Sequence, residues 1–161
     1  MQRNNQPTVT PITVRLDYSR TLAELQGPRD PGSVLPADFH DHRFPVERVR
    51  EDGECELFIA GFHRDLLDDE DPSKSELLRA LSRLGLQPEG PLELLSTRQQ
   101  HPNVLHRYPI VARRQVYRDE LRLFVPFLRG NDNSSRLFLH EVVGDKWFRS
   151  YYFLASCKPC K

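Results

Sequence analysis

Two short runs carry residues able to bind a metal or react. Cys157-Lys158-Pro159-Cys160 is a CxxC pair. In redox proteins such a pair opens a helix whose N-terminus lowers the thiol pKa. Here only Lys161 follows it, so the pair is expected to belong to a C-terminal tail over 157–161. As a zinc site it supplies two thiolates and needs two more ligands, and Cys55 is the one other cysteine. Asp38-Phe39-His40-Asp41-His42 gathers further donors. On a strand His40 and His42 would share a face and could hold a transition metal. The prolines around them favour a polar loop instead. His40, His42, Cys157 and Cys160 are thus the metal candidates, without a complete ligand set among them, and no cofactor is expected.

The rest of the reactive inventory is thin. The acidic run Asp68-Asp69-Glu70-Asp71 lacks the central glycine and alternation of a calcium loop. His63, His101, His106 and His140 are scattered, and no nucleophile can be matched to a base. Neither GxxxxGK[ST] nor GxGxxG occurs, which argues against nucleotide-dependent chemistry. No catalytic signature emerges.

Charge is distributed unevenly. The net charge is zero, yet acidic residues outnumber basic ones over 1–90 and the reverse holds over 91–161. Arginines interleave with Tyr117, Phe124, Phe127 and Trp147 in the basic half. Arginine beside exposed aromatics on a sheet can hold single-stranded nucleic acid by phosphate contacts and base stacking. In that reading Arg113, Arg114, Arg118, Arg122, Trp147 and Arg149 would make the contacts. In the simpler reading the two halves fold together and neutralise each other.

The elements that must position these residues are legible in outline. Alternation through Val9, Ile12, Val14, Leu16 and Tyr18 predicts a strand, after a loose tail over 1–7. Ser19 is expected to cap a short helical turn through Leu22 and Leu25. Residues 27–45, with Pro28, Pro31, Pro36 and Pro45, read as an irregular segment. A strand follows over Cys55–Phe62. Ser73 and Glu76 have capping-box spacing before a helix with stripe Leu77, Leu78, Leu81, Leu84, closed by Gly85. Gly90-Pro91 opens a second helix, with Leu92, Leu94 and Leu95 buried, ending before His101-Pro102. Beyond it, apolar or alternating runs at 108–112, 115–117, 121–128, 135–142 and 147–155 predict a mostly antiparallel sheet.

These residues also carry two resemblances. Arg15-Leu16-Asp17-Tyr18-Ser19, Phe44-Pro45, Leu84 to Pro88 with Leu92-Glu93-Leu94-Leu95, Tyr108 to Ala112, and Trp147 with Tyr152 to Ala155 are similar, in order and spacing, to a group of uncharacterised small proteins of candidate-phyla bacteria. The Cys157–Cys160 tail departs from that pattern. Residues 85–156 resemble the bacterial C-type-lectin-like module in a glycine–proline turn before a helix carrying Glu93-Leu94, and in an aromatic strand. That resemblance implies a display fold that binds a ligand or protein.

The expectation is one α+β domain over 8–156, two helices packed on a mostly antiparallel sheet, C-type-lectin-like in its C-terminal half. It is expected in the cytoplasm, since the chain shows no apolar run long enough for a membrane and no secretory signal. A non-enzymatic binding or accessory role is expected, with a protein partner or homo-oligomer. A nucleic-acid binder is the alternative, and a small metal-dependent hydrolase using His40 and His42 a further one.

Overall fold

The computed structural model describes residues 7–26, 46–62, 74–104, 109–114, 117–119, 122–131, 134–141 and 152–158. It is an α+β fold, a mixed sheet with helices on both faces. In chain order the elements are β1 (Thr8–Leu16), α1 (Leu22–Gln26), β2 (Gly53–Gly61), α2 (Lys74–Arg83), β3 (Leu86–Pro88) and α3 (Pro91–Gln100). Then come β4 (Ile110–Val111), β5 (Tyr117–Asp119), β6 (Arg122–Asn131), β7 (Ser134–Glu141) and β8 (Tyr152–Cys157).

The sheet runs β1-β2-β8-β4-β6-β5, with β3 on β8 and β7 on β6. All pairings are antiparallel except β4 with β8. The last strand therefore lies inside the sheet, between β2 on one side and β3 and β4 on the other. Alternation along each strand sends side chains to two separate cores. On one face Val14, Leu57, Ile59, Ile110, Leu128 and Leu154 pack with α1 and α3. On the other, Ala60, Val111, Val125, Phe153 and Ala155 pack with Leu77 and Leu81 of α2. Phe62 and Phe153 meet there as tilted rings with centroids 6.3 Å apart. Gly61 sits opposite Tyr152, whose ring occupies the space a Cβ on Gly61 would need.

Several local expectations shift by a residue or more. The Ser19 hydroxyl is bound to Asp17 Oδ1 at 2.5 Å, and Thr21 Oγ1 accepts from the Glu24 N–H at 3.2 Å, so Thr21 caps α1. Ser73 lies outside the described residues. Gly85 takes φ 72°, the left-handed conformation expected after α2. The residues after it form β3 against β8, a strand too short for alternation to reveal. The run expected over 115–117 reaches further, because β5 continues to Asp119, opposite Arg122. Cys157 is not tail: it ends β8 opposite Leu86. Lys158 is also held, its N–H donating to Gly85 O at 2.9 Å. No helix among the described residues is long and apolar enough to cross a membrane.

Candidate functional site

The sharpest chemical feature is where β3 hands over to α3. Glu89 and Glu93 are both fully buried there. Three residues separate them, Glu89 standing before the Gly90 N-cap and Glu93 in the first turn of α3, and Arg114 bonds both carboxylates. Pro91 begins the helix at the position where its missing N–H costs no hydrogen bond. Glu93 Oε2 accepts from the Gly90 N–H at 3.2 Å. This is half of a capping box, since glycine has no side chain to reciprocate. A carboxylate at a helix N-terminus is also favoured by the helix dipole.

Two arginines and a tyrosine close the space. Arg50, just before β2, grips Glu89 with both fork nitrogens, Nη1 to Oε2 at 3.1 Å and Nη2 to Oε1 at 2.5 Å. Its Nη2 also donates to Ser156 Oγ on β8 at 3.3 Å. Arg114, just after β4, bridges the carboxylates, with Nη1 to Glu89 Oε2 at 3.0 Å and Nη2 to Glu93 Oε1 at 2.9 Å. Its backbone N–H donates to Glu89 O at 3.0 Å, which fixes its approach. Tyr18, just past β1, donates its hydroxyl to Glu93 Oε1 at 2.8 Å. Glu47 Oε2 lies 3.7 Å from Arg114 Nε, at the rim. An ideal Cβ on Gly90 would fall 2.5 Å from Arg114 Nη2, so the close approach of the guanidinium requires glycine.

The electrostatics follow from this closure. Burial raises the Tyr18 pKa, and the neighbouring Glu93 charge and hydrogen bond raise it further. Burial alone would lower the pKa of each arginine. For Arg50 the hydrogen bond and charge of Glu89 outweigh it, and for Arg114 the charge and hydrogen bond of Glu93 do, so both are held above the ordinary value. Cys55 is half-buried nearby, and burial pushes its thiol up despite the opposing charge of Arg50. A raised thiol is a poor nucleophile at neutral pH.

Of the residues expected from sequence to contact nucleic acid, Arg114 is inside this cluster and Arg113 precedes it, partly buried. Arg118 lies on β5 opposite Leu123, and Arg122 on β6 opposite Asp119. Trp147 and Arg149 lie outside the described residues, as do the metal candidates His40, His42 and Cys160. Cys157 is exposed and Cys55 half-buried, both as free thiols. Among the described residues no group of three or more His, Cys, Asp or Glu is placed to hold a metal ion. Sequence reasoning missed Tyr18, Arg50, Glu89, Glu93 and Ser156 as a set. The available signal was two glutamates flanking a Gly-Pro helix start, the second set among leucines. Comparison with family models, with curated proteins and with solved structures finds no match to the chain.

Proposed function

We propose that the protein is a non-enzymatic binding or accessory protein that recognises a protein partner, or a second copy of itself. Recognition would use its loops or the sheet of the C-terminal half, the part likened above to a C-type-lectin-like module. The closure of the Glu89–Glu93–Arg50–Arg114 cluster supports this reading. Every carboxylate oxygen in it already accepts from a donor of the protein, and the two signs balance. A general base must offer a lone pair to substrate, and an anion site needs uncompensated positive charge. With both carboxylates fully buried and matched in charge by Arg50 and Arg114, this cluster is open to neither use, and instead ties the start of α3 to the ends of β1, β4 and β8.

The test is light scattering on the purified full chain, before and after nuclease treatment, beside mass spectrometry of whatever co-purifies. A partner protein or an oligomer at fixed stoichiometry that survives nuclease is the expected result. A bare monomer whose one ligand is DNA or RNA, bound with an affinity that falls steeply with salt, would replace this reading with the nucleic-acid one. Arg113, Arg114, Arg118, Arg122, Trp147 and Arg149 would then be the residues to alter.

A further inference from the structure

Among the described residues, strand β1 stands at one end of the sheet order, paired along its whole length with β2. Such a strand carries a second row of backbone donors and acceptors on its outer side, a template for pairing with another chain. Its composition suits that use. Thr8, Val9, Thr10, Ile12, Thr13 and Val14 are β-branched, and the strand holds no acidic residue to repel an identical partner.

The outer row belongs to the odd-numbered residues, and the fold occupies it. Gln100, the last residue of α3, lays its side-chain amide alongside Arg15 as a strand would. Its Nε2 donates to Arg15 O at 2.7 Å, and its Oε1 accepts from the Arg15 N–H at 2.7 Å. Two residues along the same edge, His101 Nε2 donates to Thr13 O at 2.6 Å. Two residues further is Pro11, which has no N–H to offer. Proline in a strand is tolerated where the missing donor faces off the sheet. Pro102 helps to put the guards there, because the residue before a proline is pushed out of the helical region. His101 accordingly leaves the helix at φ −130°, ψ 59°.

We propose that Gln100, His101 and Pro11 act together as an edge guard, which keeps β1 from pairing antiparallel with β1 of a second copy. Gln100 mimics one residue of a neighbouring strand, His101 occupies the next outward carbonyl, and Pro11 removes the next outward donor. Gln100 is exposed and His101 only partly buried, so neither is placed to stabilise the core. This role does not rest on the partner surface proposed above.

The experiment compares the wild-type full chain with Gln100→Ala/His101→Ala and with the same variant carrying Pro11→Thr. Light scattering over a wide concentration range reads mass, and amide hydrogen exchange reads Arg15. The expected result has two parts. At low concentration Arg15 exchange quickens by about tenfold, as loss of one hydrogen bond implies. As concentration rises the variants double the wild-type mass and Arg15 becomes protected again, the Pro11→Thr form at the lowest concentration. Unchanged mass at every concentration overturns the proposal, even where Arg15 exchange quickens, because the contacts then only dock α3. Gln100→Glu is the conservative check: it still accepts from the Arg15 N–H but cannot donate to Arg15 O. It should self-associate less than the double variant, and equal behaviour of the two would also count against the guard.

Discussion

Tyr18 and Glu93 show how much one buried contact can hold. The Tyr18 hydroxyl donates to a carboxylate that water does not reach. Its pKa is raised in the fold, so its contribution to stability is full below the ordinary value of 10.0 and is lost as pH climbs from there through the folded value. In an alkaline absorbance titration Tyr18 should be the last tyrosine to ionise, coincident with unfolding. Tyr18→Phe should remove that late step and cost about 2 kcal/mol at neutral pH, the usual scale for a hydrogen bond to a charged group. A late step that persists in the variant would assign it elsewhere. Glu93→Gln should cost about 3 kcal/mol in urea unfolding, because Arg114 is then left without part of its balancing charge. Combined with Arg114→Leu the loss should fall well short of the sum, with a coupling of about 1 to 3 kcal/mol. Strict additivity would mean that the two side chains are not a working pair.

The helices mark where pattern reading succeeds and where it stops. Leucine spacing and Gly85 located α2 and its end, yet only Leu77 and Leu81 of the stripe are buried, while Leu84 is 37% exposed. A leucine stripe tells which face is apolar, but not how far along the helix the sheet reaches. Leu81→Ala should therefore cost about 3 kcal/mol in urea unfolding, and Leu84→Ala less than about 0.5 kcal/mol. Helix α3 presents the opposite case. Its leucines are buried as their pattern predicts, but so are Glu93, Ser96 and Thr97. A polar residue in a helix reads as solvent-facing unless its partner is known. Thr97 turns its hydroxyl back to Glu93 O at 2.8 Å within the helix, but the partners of the Glu93 carboxylate come from residues 18, 50 and 114, whose nearness no local pattern encodes. The strands were legible as strands for the reason α2 was, since alternation is local. That β8 would sit between β2 and β4 was not, because strand order is set by which apolar faces meet.

At the scale of the whole molecule, that strand order decides how the chain can fold. The uneven charge of the two halves is met partly by contacts between them, with Arg114 of the basic half on Glu89 of the acidic half. The sheet binds the halves more firmly. Beta strand β8 pairs with β2, β3 and β4 at once, and its residues 153–156 are buried. Without β8, the two cores would lose Leu154 on one face and Phe153 and Ala155 on the other. Both the β2 edge and the β4 edge would open, and Arg50 would lose its contact with Ser156. A chain truncated after residue 151 should accordingly show no cooperative unfolding transition in urea, whereas one truncated after 158 should unfold as the full chain does, within about 0.5 kcal/mol. Pairing a strand with one nearly a hundred residues earlier also means late closure of large loops, so refolding should be slow for the chain's size, on the scale of about milliseconds to seconds. Cooperative unfolding of the shorter truncation would show that β2 and the β4–β6 segment can pair without β8, and would refute its place at the centre of the sheet.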